Sequence, residues 1–273
     1  MRSDTFELPS TLRVEMRGVG LAEENILATA DRRGSDEILD RVFATVWKAT
    51  ADPGPYSLGA GGAPPWPDLV QCDRFVLMLY LRCLSYKDGQ QYEVDVYHDE
   101  CDTTFPWEVD LLKDLPVRGL TPDAIERIRT GEPFEAEVAG RVVRYKLNTS
   151  RDLQFREKLQ EQFPDRLMAA TLRAQIVEVA GVEKRDLMDW LDGANGTSAK
   201  FEGLDGDATE ELRDAFDRVD GGIDTDVTVQ CRKPTCRKSF VYSIPFGKGF
   251  LAPSRAILAR KRARRLGTES SGG

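Results

Sequence analysis

The sequence predicts an α+β fold in which helices pack around β-hairpins. Apolar residues recur at helical spacing in several segments, whereas in others they alternate with polar residues as strands require. Apolar residues make up 41% of the 273 residues, enough for a packed core. The chain contains only 23 Gly and 14 Pro, and 31% of its residues are charged, which excludes a collagen-like or disordered chain.

Residues 1–50 are predicted to form an N-terminal strand followed by helices. Leu12, Val14 and Met16 alternate with polar residues, which indicates a short strand. Helices are expected over 21–30 and 35–50, the second because pairs of apolar residues repeat along one face. Residues 51–67 contain five Pro and four Gly and are predicted to form a loop.

Residues 68–253 are predicted to form an α+β body. Thr121 and Pro122 indicate the start of a short helix, as N-cap and first helical residue. The expected helices cover 68–86, 121–130, 153–163, 167–179, 184–191 and 208–219, and the expected hairpins cover 90–110, 134–147 and 225–246.

Charge is distributed unevenly along the chain. Residues 231–273 carry a net charge of +10, so the preceding residues carry −18. An acidic body of this kind is not expected to bind nucleic acid over a broad face. The basic tail, 254–273, is expected either to contact an anionic partner or to remain solvated. Its candidate contact residues are Arg255, Arg260, Lys261, Arg262, Arg264 and Arg265.

Membrane insertion and secretion are not expected. The longest strongly apolar stretch, 75–81, is far shorter than the roughly 20 residues of a membrane span. The N-terminal residues lack the apolar stretch of a signal peptide, and five cysteines make an odd set for a disulfide framework. We therefore expect an intracellular, soluble protein.

Two hairpin turns carry soft metal ligands. The first turn contains His98 and Cys101, and the second contains Cys231 and Cys236. Zn²⁺ prefers four nitrogen or sulfur ligands in a tetrahedron, and two turns that each supply two ligands would complete one. The hairpins at 90–110 and 225–246 are thus predicted to pair into a zinc-ribbon-like unit. The alternative is a solvated His98 with unconnected cysteines.

The predicted site is structural rather than catalytic. A catalytic zinc site keeps one position open and needs a base, whereas all four ligands here come from the chain and His98 is its sole histidine. Glu100 is a weak candidate base in the first turn, so a zinc hydrolase is the less favoured interpretation. The ligand types also leave iron open as the metal.

Short motifs across residues 6–254 resemble the baseplate protein family of T-even-type bacteriophages. They include the opening Phe6-Glu-Leu-Pro-Ser10, the helix segment 21–26, Cys72-Asp-Arg74 with 77–86, the hairpin 92–110, the second turn 222–236, and the closing segment 244–253. The knuckles of that family are commonly Cys-x-x-Cys. Here His98 stands in the first, and the second is wider.

The resemblance implies a structural, non-enzymatic protein of a contractile tail that acts in baseplate hub assembly. Its partners would be other hub or tail proteins, met in the host cytoplasm during assembly, and it could remain in the virion. The alternative is a zinc-ribbon regulator that binds nucleic acid, which the basic second turn and tail favour and the acidic body opposes.

Overall fold

Residues 3–28, 35–193, 201–246 and 250–251 are described by a computed structural model of the chain. Within these ranges the fold is mixed, with eight helices and five small antiparallel sheets. The helices are α1 (Leu21–Leu27), α2 (Ser35–Val46), α3 (Gln71–Ser85), α4 (Pro122–Thr130), α5 (Ser150–Gln162), α6 (Leu167–Arg173), α7 (Leu187–Asp192) and α8 (Gly206–Val219).

The strands are β1 (Ser3–Glu7), β2 (Arg13–Arg17), β3 (Trp47–Asp52), β4 (Gln91–His98), β5 (Thr103–Asp110), β6 (Val117–Arg118), β7 (Phe134–Val138), β8 (Arg141–Tyr145), β9 (Ile176–Val179), β10 (Gly222–Ile223), β11 (Asp226–Gln230) and β12 (Ser239–Ser243). Two sheets have three strands, in the orders β1-β2-β3 and β7-β8-β9. The other three are the pairs β4–β5, β6–β10 and β11–β12.

Helix α3 lies at the centre of the core. Most of its residues from Cys72 to Arg82 are buried, and it contacts β1, β2 and β10. The ring of Tyr80 stacks on Phe6 of β1 with a centroid distance of 4.7 Å. The same connected core reaches from Leu8 to Leu251, so α3 links the N-terminal sheet to the end of the described chain.

Two predicted helices are shorter than their sequence patterns indicate. The helix expected over 35–50 ends at Val46, and Trp47–Asp52 forms β3 beside β2. Residues 51 and 52, expected in the loop, therefore belong to a strand. The helix expected over 167–179 ends at Arg173, and Ile176–Val179 forms β9 beside β8. In both cases a neighbouring strand pairs with the segment's backbone polar groups, and this tertiary pairing outweighs local helical spacing.

Other local predictions are confirmed. The Thr121 hydroxyl accepts a hydrogen bond from the Ala124 amide at 3.2 Å, as an N-cap should. All three predicted hairpins form, within residues 91–110, 134–145 and 226–243. The basic helix expected over 254–265 lies outside the described residues.

Candidate metal centre

The first ligand turn joins β4 to β5. Alternation along β4 buries Val94, Val96 and His98 on one face, and His98 is the last residue of the strand. A single turn of 3₁₀ helix follows and ends at Cys101. Asp102 then adopts a left-handed conformation with φ of 47°, which returns the chain into β5. This tight reversal points the imidazole and the thiol of one turn to the same side.

The second ligand turn joins β11 to β12. Cys231 follows β11 directly, and its amide donates to the Lys238 carbonyl at 2.9 Å. The Cys236 amide donates to the Lys233 carbonyl at 2.9 Å, and Arg237 has a left-handed φ of 52°. These bonds close a compact loop, so that the four residues between the cysteines do not separate their side chains.

The two turns meet and bring four ligand atoms together. The Nδ1 atom of His98 and the sulfurs of Cys101, Cys231 and Cys236 all lie within 4.8 Å of one another. His98 Nδ1 is 3.1 Å from the Cys101 sulfur and 3.7 Å from the Cys236 sulfur, and the sulfurs of Cys101 and Cys231 are 3.5 Å apart. Tetrahedral bonds of 2.0–2.3 Å imply ligand separations of about 3.5–3.8 Å. The cluster therefore has the size that one metal ion needs.

Burial and neighbouring groups act differently on the thiols. His98 and Cys231 are buried, whereas Cys101 and Cys236 are half-buried. The Thr103 hydroxyl, followed by His98, favours the Cys101 thiolate and lowers the pKa of Cys101 to about 7, although burial opposes this. Burial raises the pKa of Cys231, and the adjacent thiols add to that effect. A bound cation would hold these thiols as thiolates.

Contacts around the cluster also hold the two hairpins against each other. The His98 ring stacks on Phe240 of β12 with a centroid distance of 4.3 Å. The Lys233 ammonium donates to the Cys101 carbonyl at 3.0 Å, and Lys238 forms an ion pair with Glu100. Nearby, the Arg232 guanidinium lies 5.4 Å from the centre of the Trp107 ring. An aromatic stack and an ion pair therefore join the two turns beside the cluster.

The hairpins do not share a backbone ladder. The β4–β5 and β11–β12 pairs are separate two-stranded sheets. Side chains join them instead, together with a 3.4 Å hydrogen bond from the Tyr242 hydroxyl to the Asp95 carbonyl. The structure therefore contains a Cys/His cluster between two hairpins. These contacts do not by themselves establish the zinc-ribbon-like unit that the sequence predicts.

A second polar cluster lies in the core and is named the α3 polar centre here. Its members are Ser10, Asp40, Tyr56, Asp73, Arg74 and Ser150. Asp73 accepts hydrogen bonds from the Ser10 amide at 2.9 Å, the Ser10 hydroxyl at 2.5 Å and the Tyr56 hydroxyl at 2.7 Å. Arg74 forms a buried ion pair with Asp40, which also accepts from Ser150 at 3.0 Å. These contacts satisfy the buried charges without an ion.

The structure brings together all four residues that the sequence selected as ligands. Cys72 and Cys83 lie on α3 and take no part in the cluster. The predicted tail contacts, Arg255, Arg260, Lys261, Arg262, Arg264 and Arg265, lie outside the described residues. Sequence reasoning placed the positive charge of Lys233 beside the second ligand turn, and the structure shows its ammonium at the Cys101 carbonyl, but it missed Phe240 as a neighbour of the cluster. Strand alternation could have placed Phe240 on one face of β12, but it does not show that this face meets His98.

Comparison with protein-family models, characterised proteins and solved structures gives no match. Among the described residues, no helix is both long and apolar enough to cross a membrane.

Proposed function

We propose that the protein is a zinc-stapled structural protein that acts in baseplate hub assembly of a phage or phage-like contractile tail. The observation that carries the structural role is the closed cluster of one imidazole and three thiols. The assignment to a baseplate rests on the short motifs that resemble the T-even-type family, and it would place the protein in the host cytoplasm during assembly.

The donor set favours zinc. Three thiolates and one imidazole are the ligands of Cys₃His structural zinc sites, and hard cations such as Mg²⁺ or Ca²⁺ prefer oxygen. His98 and Cys101 would hold the ion from one turn, and Cys231 and Cys236 from the other. Zinc would supply the attraction that keeps the turns together. Three thiolates and one divalent ion sum to about −1, which the nearby Lys233 and Lys238 help to balance.

The staple would act mainly by constraining distant parts of the chain. Cys101 and Cys231 are 130 residues apart, and closing so long a loop in an unfolded chain is entropically costly. Metal binding would therefore be coupled to folding of everything between the two turns. A rigid body of this kind suits a protein that works by contacts with other assembly proteins.

The same geometry disfavours a hydrolase. Four ligands from the chain leave no position for a water molecule on a tetrahedral ion. Glu100, the candidate base in the first turn, is engaged by Lys238. We therefore propose a non-enzymatic role.

Metal analysis tests the staple, and phage genetics tests the assembly role. Inductively coupled plasma mass spectrometry of the purified protein is expected to find one zinc per chain and little iron. Deleting the gene from the phage or prophage that encodes it should leave tails without complete baseplates in electron micrographs, and wild-type protein should restore them. Normal baseplates in the deletion strain would refute the assembly role but not the zinc site.

A nucleic-acid-binding regulator is the second candidate. Arg232 and Arg237 are exposed on the ligand turn, where they could contact phosphates. Binding to duplex DNA that weakens steeply as salt increases would favour this role, because each phosphate contact releases counterions. An Arg232→Gln/Arg237→Gln variant should then reduce the salt dependence, whereas the assembly proposal expects no measurable DNA binding.

A further inference from the structure

The four residues of the metal cluster differ in how far solvent reaches them. Cys101 and Cys236 are half-buried, whereas His98 and Cys231 are each only 2% exposed. Oxidants attack the thiolate form of cysteine, and exposure decides which thiolate reacts first. A dissolved oxidant therefore meets the sulfur of Cys101 or Cys236 before that of Cys231.

Cys101 has a second sulfur close by. Its Sγ atom lies 3.5 Å from the Sγ atom of Cys231. A disulfide bond of about 2.0 Å requires the two sulfurs to approach by about 1.5 Å, which rotation of the two side chains can supply. The turns stay together meanwhile, because the Lys233 ammonium donates to the Cys101 carbonyl at 3.0 Å. Cys236, whose sulfur lies within 4.8 Å of both others, defines the competing links.

We propose that a hydroperoxide replaces the metal staple with a disulfide between Cys101 and Cys231. The Cys101 thiolate attacks one peroxide oxygen, so that an S–O bond forms, the O–O bond breaks and hydroxide leaves. The Cys231 thiolate then attacks the sulfur of this sulfenic acid, and a second hydroxide leaves as the S–S bond forms. Two electrons have passed from the thiolates to the peroxide, and the ion loses two of its four ligands. The inference rests on the proposed function, since it concerns regulation of the same site.

The position of the disulfide decides what oxidation does to the fold. Cys101 and Cys231 are 130 residues apart, so a link between them constrains as long a segment as the metal does. The two hairpins would then stay joined after the ion has left. A link between Cys231 and Cys236 lies within one turn and would leave the hairpins without a covalent connection.

Peptide mapping without reduction tests the proposal on the full-length, zinc-loaded protein treated with hydrogen peroxide. A Cys101–Cys231 link should form, with one zinc released per link to the indicator 4-(2-pyridylazo)resorcinol. Dithiothreitol followed by added zinc should restore the metal content. A link from Cys236 to either other cysteine as the main product, sulfinic acid without a link, or zinc retained after oxidation would overturn the proposal.

Cys83→Ser is the control for oxidation outside the cluster. Cys83 is a half-buried thiol on α3, and the variant should release zinc at the wild-type rate. A much slower release would place the first oxidation at Cys83 and overturn the proposal.

Urea unfolding gives an independent readout. The oxidised, zinc-free protein should unfold at a higher urea concentration than the reduced, zinc-free protein, because the disulfide constrains the unfolded chain. Equal midpoints would contradict a link between the two turns. Metal content is measured before oxidation and the link after it, so failure of the zinc staple and failure of this proposal are distinguishable.

Discussion

The metal cluster and the α3 polar centre both join parts of the chain that are far apart, but by different means. In the α3 polar centre, Asp73 and Arg74 find hydrogen-bond and ion-pair partners among side chains of the core. At the metal cluster, three thiols and an imidazole face one another within 4.8 Å, and the nearby Lys233 and Lys238 bind the Cys101 carbonyl and Glu100. One centre is complete as a protein structure, whereas the other has the chemistry of a site that an ion completes.

The comparison separates two kinds of stability. The free energy supplied by the metal cluster should depend on the ion and should be lost with a chelator. The free energy supplied by the α3 polar centre should be insensitive to metal but sensitive to any change that leaves a buried charge unpaired. A chelator should therefore destabilise a variant of the α3 polar centre as it does the wild type, whereas it should have little further effect on a variant that lacks a metal ligand.

The largest effect is expected from Cys231→Ser. Cys231 is 2% exposed, and its replacement removes one of the three thiolates that would hold the ion. The variant should retain less than a tenth of the bound metal, and its free energy of unfolding should fall by about 5 kcal/mol or more. Plasma mass spectrometry and urea unfolding measure the two quantities.

Cys83→Ser is the matched control for that variant. Cys83 is a half-buried cysteine on α3 outside the cluster, so this variant should keep one metal per chain. If both variants lose the metal equally, the loss reflects general unfolding and the cluster is not the binding site.

A somewhat smaller effect is expected from Arg74→Met. The change leaves the Asp40 carboxylate without its buried partner and should destabilise the protein by about 3 to 5 kcal/mol. The metal content should be unchanged. Adding Asp40→Leu should recover part of the loss, because the unpaired charge is then removed. If the free energy of unfolding of the Arg74→Met single variant lay within 1 kcal/mol of the wild-type value, the Arg74–Asp40 ion pair would not be buried as described.

The smallest effect is a pH dependence at Asp73. Complete burial raises the pKa of Asp73 from 3.8 to about 6, despite the hydrogen bonds from Ser10 and Tyr56. The folded protein therefore keeps a proton that the unfolded chain has already released, and the contribution of Asp73 to stability falls as the pH rises through 6. Between pH 5 and pH 7.5, the stability of the wild type relative to Asp73→Asn should fall by about 1 kcal/mol.

Urea unfolding of both proteins at each pH measures this difference, and effects of pH on the metal cancel between them. A difference that stays constant or grows with pH would contradict the protonation of Asp73 in the folded state.

The two centres also differ in how far the sequence reveals them. The metal cluster was predicted because His98 and Cys101, and Cys231 and Cys236, have ligand spacing within turns that alternation had already placed. The α3 polar centre was not predicted, because no sequence pattern identifies the partners of Asp73 and Arg74, two charged residues in an otherwise apolar helix. Ser10 and Tyr56 lie in segments whose position depends on the whole fold.

The same limit explains the errors in secondary structure. Val46 and Trp47 continue a helical pattern, yet the chain turns into β3 because β2 offers a strand edge nearby. Ile176–Val179 joins β8 for the same reason. Local residue spacing predicts turns, caps and hairpins well. Pairing between distant segments depends on which surfaces meet in the folded chain, and a single sequence does not show this.

Zinc K-edge X-ray absorption on the purified full-length protein tests the central claim most directly. The account predicts one zinc per chain with one nitrogen at about 2.0 Å and three sulfurs at about 2.3 Å. A first shell with fewer than three sulfurs, or protein that stays folded and metal-free in excess zinc, would contradict it.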